Sequence, residues 1–498
     1  MTDGAIGDAV PVAPASAAER TGGVSAEPTP PALAARLIPL QIAVGLQGLL
    51  LWVPVEKLFM TQIGFDAASV GVMAAAYAVV VPLFEVPSGV LADRWSRSWI
   101  MVWASVALMA SSLLGGLSTS VTMYILAAMI LGIYFAMNSG TIDSIVYDVV
   151  MEETGSNSLY ETWIGRVRIV ESAALVASAL AGSVLAGWTS ARLTYFATVP
   201  LVGTAVVAFI RFDEPRLHRS AEPVALRVHL RTTVRAITRQ PAVLQILLLA
   251  ALAGLVSQAV FEFGPLWLVG LDAPSALFGP YWAILVSTLG LGGYLISKLH
   301  VDRRITAIAL ACIAPPAALT LTVRPSLPTV IAGQAALALV LALIGIHAGR
   351  LLHDAVPSSI RAGVSSGAGT LSWMLFLPFS LTFGWLARRQ GVDHAGWMLV
   401  AAASVVGLLL VVSAFRSSRD VEPEADAIAT PSDVACQELV ELITDYLDGV
   451  LPPDWRAGLQ DHLSVCDGCG EYTRQIRFTI EALKGLAAND DPDHADQR

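Results

Sequence analysis

Four residues near the carboxyl terminus carry the most specific chemistry in the sequence. His462, Cys466 and Cys469 fall at positions i, i+4 and i+7, along one face of a helix and its end, and Cys436 opens an earlier amphipathic segment. One imidazole and three thiolates form a complete tetrahedral ligand set for Zn²⁺. We therefore expect one zinc ion, which would supply much of a small domain's folding free energy. The pattern leaves unpaired core thiols or a disulfide as alternatives, and a cytoplasmic location disfavours the disulfide.

Ionisable residues inside long apolar stretches form the second group with candidate chemistry. Such residues are costly in a membrane and tend to be functional, and a carboxylate in a low-dielectric cavity can carry a proton. Glu85 and Asp143 are the candidates for proton or cation coupling, or for substrate contact. We expect the remaining groups to be paired or interfacial, and none to lie at mid-membrane. They are Glu56, Lys57, Glu171, Glu262 and His347.

The elements that must position these groups are hydrophobic helices. Hydrophobic residues make up 55% of the chain and charged residues 14%, with a mean hydropathy of +0.65, whereas a soluble chain carries about 25% charge. A helix needs about 20 apolar residues to cross a bilayer. The sequence therefore predicts an all-α membrane protein with twelve transmembrane helices in two six-helix halves, plus a small helical zinc-binding domain. The predicted helices lie near residues 37–58, 67–88, 99–118, 121–143, 165–187, 191–210, 242–264, 276–299, 304–323, 326–349, 363–386 and 395–415.

Basic residues give the orientation of the predicted helices. With the amino terminus in the cytoplasm, the inner loops hold most arginines and lysines, in agreement with the positive-inside rule. We expect a multi-pass protein of the cytoplasmic membrane with both termini in the cytoplasm. In the central loop, Arg227, Arg231 and Arg235 recur at helical spacing. This stripe fits an amphipathic helix on membrane lipid or a solvated linker helix, and we expect no direct nucleic-acid contact.

Changes in composition along the chain predict its domain organisation. The first and last segments are poor in large apolar residues and are expected to be disordered. The predicted segments are a cytoplasmic leader (1–34), a first six-helix half (35–211), a cytoplasmic central loop with the amphipathic helix (212–240), a second six-helix half (241–417), an acidic linker (418–433), the zinc-binding domain (434–486) and a disordered tail (487–498).

Residues 89–97, between the second and third predicted helices, read Gly-Val-Leu-Ala-Asp-Arg-Trp-Ser-Arg. This segment resembles the signature loop of the major facilitator superfamily of transporters, Gly-x-Leu-Ala-Asp-Arg-x-Gly-Arg, with Ser96 in place of the second glycine. The resemblance covers roughly residues 37–416 and implies two helical halves that alternate access to a shared cavity. It implies gating roles for Gly89, Leu91, Ala92, Asp93, Arg94 and Arg97.

The resemblance implies that this loop joins the two halves on the cytoplasmic side while the cavity faces outward. Gly89 would allow a close approach of backbone, and Asp93 would favour a helix amino terminus. Arg361, just before the eleventh predicted helix, is a candidate partner of Asp93 across the halves. The simpler alternative is that Asp93 only caps a helix.

Two further segments, 85–89 and 139–148, resemble a drug-resistance-like branch of the same superfamily. Two departures weaken an assignment to drug–proton exchange. Ala136 occupies the position at which such antiporters carry an arginine, and Gly182 and Gly187 lack the following proline of their fifth helix.

The carboxyl-terminal segment resembles the zinc-binding domain of anti-sigma factors. The resemblance rests on the turn Tyr446-Leu447-Asp448-Gly449 and on the pair His462-Leu463. It implies a sigma factor as a partner, although thiolate ligands are oxidisable and redox or zinc sensing is also open.

Together these patterns predict a secondary active transporter that moves a small molecule, by efflux, with a regulatory zinc-binding tail. A proton is the candidate coupling ion, and the sequence itself does not identify the substrate, the direction of transport or the ion. The alternative is a membrane-anchored regulator of the anti-sigma type, or a zinc or redox sensor. We expect no enzyme, because the sequence offers no convincing nucleophile and base.

Overall fold

The computed structural model describes most of the helical part of the chain and pieces of its tail. The described residues are 31–139, 141–154, 159–214, 241–296, 298, 299, 301, 304–355, 361–417, 443, 446, 447, 451, 453–465, 469–478 and 480. The predicted amphipathic helix of the central loop, Cys436 and Cys466 lie outside the described residues, as do the leader before residue 31 and the acidic linker.

In the part of the first half that the structure describes, there are eight α-helices and one short 3-10 helix (Val53–Val55). They are α1 (Pro31–Gln47), α2 (Glu56–Gln62), α3 (Ala67–Arg94), α4 (Arg97–Leu117), α5 (Val121–Asn138), α6 (Thr141–Thr154), α7 (Tyr160–Trp188) and α8 (Ala191–Ile210). Segments α1 and α2 together form the first crossing, and α5 continues into α6 as the fourth.

The described residues of the second half form six helices. They are α9 (Pro241–Gly270), α10 (Ser275–Ile296), α11 (Arg304–Leu319), α12 (Leu327–Asp354), α13 (Arg361–Gln390) and α14 (Val392–Ser417). Within the described residues, ten helices are long and apolar enough to span a bilayer, and α1 and α11 are shorter apolar helices. The protein is therefore all-α in its described part, with the predicted twelve crossings in two sets of six.

Two predicted details of the second and third helices are wrong. The segment that starts at Gly89 is not a loop, because α3 continues to Arg94 and only Trp95 and Ser96 link it to α4. Asp93 therefore lies inside α3. The cap of α4 is Ser96, whose hydroxyl accepts a hydrogen bond from the Trp99 amide at 3.2 Å; a serine at this position satisfies a free helical N–H.

The first crossing is broken rather than continuous, and tight packing accounts for the break. Helix α1 ends at Gln47, and Pro54, which cannot donate a backbone hydrogen bond, lies in the segment before α2. The amide of Leu51 instead donates to Thr198 Oγ1 at 3.1 Å. The backbone of Leu51 also lies so close to Gly182 of α7 that a side chain there would overlap it.

The two halves meet closely at one end of the bundle. We call the end that carries Ser96 and Arg97 the motif end, and the end that carries Asp66 the distal end. Near the distal end, α3 crosses α13 at Gly71 and Gly384; a Cβ on Gly384 would lie 2.6 Å from the Ala67 carbonyl oxygen. Helices α7 and α10 also pack closely there, at Gly279.

The buried apolar residues follow the same asymmetry. One large core spans both halves and includes Phe59 and Met73 of the first half and Phe263 and Phe383 of the second. Toward the motif end, no described core joins the halves. The first half has its own core around Val146 and Val167, and the second half has the continuation of the large core at Val301 and Ala348 and a small separate core. The bundle is therefore closed between the halves at its distal end.

The tail forms a second compact unit, Phe415–Arg498. Its described part contains α15 (Pro453–Val465). A small apolar core in this unit joins Ile443, Leu451, Leu459 and Cys469.

Candidate functional site

A buried group of charged residues connects the two halves below the distal end. The ammonium of Lys57 on α2 lies 2.8 Å from Glu56 Oε2 and 2.5 Å from Glu262 Oε1 on α9. The Lys57 side chain is 2% exposed, and the side chains of Glu56 and Glu262 are 14% and 11% exposed. We call Glu56, Lys57 and Glu262 the charged cluster.

Tyrosine hydroxyls bind the remaining carboxylate oxygens of the charged cluster. Tyr77 of α3 donates to Glu262 Oε2 at 2.7 Å, and Tyr124 of α5 donates to Glu56 Oε1 at 2.9 Å. Gln258 of α9 donates to the Tyr77 hydroxyl at 3.0 Å, and Tyr195 of α8 pairs with Tyr124 at 2.6 Å. Four helices of the first half and one of the second therefore hold a single polar network.

The sequence signal for this cluster was present but incomplete. Glu56, Lys57 and Glu262 stand out as charges in apolar stretches, and Glu56 and Lys57 are paired, as expected for such groups. The fold buries Lys57 and adds a second carboxylate from α9 to the pair. Only tertiary packing brings Glu262 to Lys57, so sequence spacing alone does not reveal the cluster.

A cavity lies between the halves on the motif side of the charged cluster. It has a volume of about 240 Å³ and is lined by Glu85 and Phe135 of the first half and by Gln258 and Trp373 of the second, among others. Glu85 is partly exposed and accepts a hydrogen bond from Ser139 Oγ at 3.0 Å. The predicted candidate Glu85 thus lies in a cavity that both halves form. We call this space the central cavity.

A second cavity of about 290 Å³ lies within the first half, and Phe135 lines both cavities. Asp143 occupies its wall, where both carboxylate oxygens lie 2.8 Å from Arg168 Nη2. Arg168 Nη1 also donates to Glu171 Oε2 at 2.9 Å. All three side chains are substantially exposed, at 37%, 52% and 30% for Asp143, Arg168 and Glu171. Asp143 is therefore already paired, whereas Glu85 has a neutral partner.

The predicted gating residues lie at the motif end of α3 and the start of α4. Arg97 pairs with Asp148 of α6 at 2.5 Å, and its amide donates to Glu214 Oε1 at 2.5 Å. Leu91 is exposed and Ala92 is buried. Outside the backbone of its own helix, no described atom lies within 4 Å of where a Cβ on Gly89 would be, and the expected close approach stays a prediction.

These contacts of the gating motif are made to the first half and to the start of the central loop. The side chains of Asp93, Arg94 and Arg361 lie outside what the structure describes. The pairing of Asp93 with Arg361 stays a prediction.

One ion pair joins the halves at the distal end itself. Arg388 Nε of α13 lies 3.1 Å from Asp66 Oδ2, the residue that caps α3. Partial burial raises the pKa of Asp66, but hydrogen bonds from Ser69 and the charge of Arg388 outweigh it and hold the pKa below its ordinary value of 3.8. The carboxylate is thus stabilised in the closed arrangement.

The tail places two of the four predicted zinc ligands together. His462 Nε2 on α15 lies 3.4 Å from Cys469 Sγ. Zinc bonds of about 2.0 Å to nitrogen and about 2.3 Å to sulfur at a tetrahedral angle would separate these atoms by about 3.5 Å. The two described side chains therefore fit one tetrahedral centre, and Cys436 and Cys466 lie outside the described residues.

A bundle of two six-helix sets, closed at one end around a buried charge network and enclosing a cavity between the sets, defines a multi-pass transporter. A family model of the Major Facilitator Superfamily matches residues 37–371. The chain belongs to this superfamily and is a secondary transporter. A second family model, of a zinc-finger family, matches residues 436–470. No curated protein matches the sequence of the chain.

Solved transporters have the same fold at low sequence identity. A mutant of the nucleoside transporter NupG matches with a TM-score of 0.64 and 14% identity, over 76% of this chain and 99% of that one. A bacterial homolog of the human lysosomal transporter Spinster, inward-facing and unoccupied, matches with a TM-score of 0.58 and 17% identity, over 78% and 95%. A D-xylose–proton symporter matches at 0.58 and 14%, over 75% and 97%.

Proposed function

We propose that the chain is a secondary active transporter of the cytoplasmic membrane that exports a small amphipathic molecule. The observation that carries this proposal is the central cavity, which both halves line and which lies between a closed distal end and separate cores at the motif end. The excess of basic residues in the loops of the motif end supports a cytoplasmic location for that end. In this arrangement the cavity receives substrate from the cytoplasm.

The side chains of the two cavities support a substrate class. Trp373 and Phe135 offer apolar and aromatic surface, and Glu85, Asp143 and Gln258 offer acceptors for a cation or for hydrogen-bond donors. Each volume lies near the lower end of the ~300–1,000 Å³ usual for ligand pockets. We propose a compact substrate with an aromatic or apolar body and a positive or donor-rich group. Efflux is supported by the resemblance of segments 85–89 and 139–148 to the drug-resistance-like branch.

Opening of the distal end requires a matching closure at the motif end. We propose that Asp93 and Arg361 then pair across the halves, as the family motif implies. Exchanging the two charges in one chain should restore transport lost in either single variant. Two inactive single variants and an equally inactive exchange would remove this part of the proposal.

A flux assay tests the proposed function. Purified full-length protein in proteoliposomes is offered nucleosides, pentoses and lipophilic amines, with and without a proton gradient. We expect one class to move against its gradient when protons flow, and Glu85→Gln to abolish that movement. Glu161→Gln, an exposed carboxylate at the start of α7, is the matched control and should retain it. No flux of any class in folded protein would contradict the proposal.

The tail supports a second function beside transport. The zinc-finger match over residues 436–470 and the spacing of His462 and Cys469 support a zinc-binding regulatory domain. When bound, zinc supplies a structural cross-link that holds the small domain folded.

We propose that this domain regulates transport, with a sigma factor as its candidate partner. The rival proposal is a membrane-anchored anti-sigma regulator, or a zinc or redox sensor, without transport. Co-purification of a sigma factor with the full chain, together with an absence of flux, would favour the rival. Flux that persists after removal of residues 418–498 would favour transport.

A further inference from the structure

The charged cluster contains two carboxylates and one ammonium. If both carboxylates were ionised, one negative charge would lie uncompensated beneath the closed distal end. Asp143, Arg168 and Glu171 also combine two carboxylates with one cation. The side chains of this trio are 30–52% exposed, whereas those of the charged cluster are 2–14% exposed. Water can stabilise the surplus charge in the trio, and burial removes most of that stabilisation in the cluster.

No described side chain supplies the missing positive charge. The groups that face the cluster are Tyr77 of α3, Tyr124 of α5, Tyr195 of α8 and Gln258 of α9, all of which are neutral at ordinary pH. The one basic residue of α8 is Arg192, and its guanidinium lies over the ring of Phe59. Its guanidinium donates to the carbonyl oxygens of Gly116 and Ser118 and not to a carboxylate.

We infer that the pair Glu56 and Glu262 binds one proton while the distal end is closed. The proton adds to one carboxylate oxygen and forms an O–H bond, and no other bond changes. Two carboxylates that interact through one ammonium titrate as a pair, so the proton belongs to both. The cluster is then neutral, and every carboxylate oxygen still contacts Lys57 or a tyrosine hydroxyl.

The geometry favours a proton over a metal cation such as Na⁺. All four carboxylate oxygens already have a partner within 2.9 Å. The cavity beside Glu56 has a volume of about 10 Å³, which is near the lower limit for a single water molecule. A metal cation and its further oxygen ligands would need more space, whereas a proton needs none.

The position of the cluster ties its protonation to opening of the distal end. Lys57 and Tyr77 of the first half bind Glu262 of the second, so the halves cannot separate there without breaking both contacts. Separation would hydrate the carboxylates and remove their preference for the bound proton, so protonation favours the closed distal end. Gln258 donates a hydrogen bond to Tyr77 and also lines the central cavity. Gln258 and Tyr77 therefore lie between the charged cluster and the central cavity. This coupling role rests on the proposed transport function, while the protonation itself does not.

Infrared spectroscopy of the full-length protein in lipid bilayers at neutral pH tests the bound proton. We expect the C=O stretching band of a buried protonated carboxylic acid. Glu262→Gln and Glu56→Gln should each remove it, because the remaining carboxylate then pairs with Lys57. Lys57→Met should increase its amplitude about twofold, because two carboxylates then lack a cation. Glu171→Gln, from the exposed trio, is the matched control and should leave the band unchanged.

Several results would overturn the inference. They are an absent band in the parent protein, a band that survives both Glu56→Gln and Glu262→Gln, and a band that disappears when KCl is replaced by NaCl, which would assign the site to sodium. Should Lys57→Met fail to fold, the two near-isosteric glutamine variants still decide, and Lys57→Arg should keep the parent band. A band without flux would count against the proposed function only, and flux without a band would count against this inference only.

The link to opening is tested without a substrate. A cysteine replaces Ala259, which is buried beside the cluster on α9, in a Cys312→Ser background. An impermeant maleimide is applied from the distal side. Relative to an exposed Gln62→Cys reference, labelling should rise with pH in the parent and become independent of pH with Glu262→Gln. A pH-independent parent would overturn the link.

Discussion

The crossing of α3 and α13 offers a direct way to weaken the closed distal end. Gly384 packs against α3 so closely that an added Cβ would lie 2.6 Å from the Ala67 carbonyl oxygen and 3.0 Å from the Gly71 Cα. These neighbours are backbone atoms and cannot rotate away. Even a close C···O contact spans about 3.3–3.6 Å. Gly384→Ala therefore forces the two helices apart by roughly 0.7–1 Å.

The expected energetic effect follows from this overlap. Overpacking a tight contact costs about 1–3 kcal/mol. The cost falls on the closed arrangement alone, because the helices separate at this point when the distal end opens. The ratio of open to closed protein should then rise by about 5- to 150-fold. The gain in helix propensity on replacing glycine, about 0.5–1 kcal/mol, acts equally on both arrangements.

The Ala259→Cys reporter measures this ratio as a labelling rate with impermeant maleimide from the distal side. We expect Gly384→Ala to increase the rate within the range above. Gly203→Ala on α8 is the matched control, since its Cβ would meet only Met109 Sδ, at the ordinary distance of 3.8 Å. Equal rates in the two variants would refute the assignment of this crossing as part of the distal closure.

Three further predictions concern stability and the tail. Arg97→Ala should lower the thermal midpoint more than Arg168→Ala, because the Arg97–Asp148 pair is 13% and 4% exposed and hydrogen bonds of buried charges contribute about 1.5–3 kcal/mol; equal midpoints would contradict it. The lowered pKa of Asp66 contributes stability above its ordinary 3.8 that is lost as pH falls through the lowered value. The difference in midpoint between parent and Asp66→Asn, which keeps the cap, should therefore shrink at low pH; a constant difference would contradict this. Purified chain should contain about one zinc by elemental analysis, which His462→Ala loses and Cys312→Ser retains; metal retained in both would contradict the ligand assignment.

Hydropathy predicted the crossings because a helix in lipid must satisfy its backbone internally and present apolar side chains. The same reasoning placed a single straight helix over residues 37–58. It failed there because the break after Gln47 depends on contacts of Leu51 with Gly182 and Thr198, which are distant in sequence. The motif was likewise recognised from its residues, but its helical conformation up to Arg94 was not.

The candidate site was predictable only in part. Glu85 and Asp143 stood out because a charge in an apolar stretch is costly in a membrane and tends to be functional. In the structure both residues line cavities. The role of Lys57 was not predictable from sequence, because its second carboxylate partner, Glu262, lies 205 residues later in the chain. The zinc-finger family of the tail was predictable because the spacing of His462, Cys466 and Cys469 follows local helix geometry and the coordination preference of the metal. The ligand set itself stays a prediction.

Alternating access itself is tested most directly by two reporters in matched chains. Ser139→Cys lies exposed at the central cavity and reports access from the motif end, and Ala259→Cys reports access from the distal end. When Gly384→Ala is introduced, we predict that distal labelling of Ala259→Cys rises while motif-end labelling of Ser139→Cys falls. A simultaneous rise at both sites, or a rise at one with no change at the other, would contradict the account.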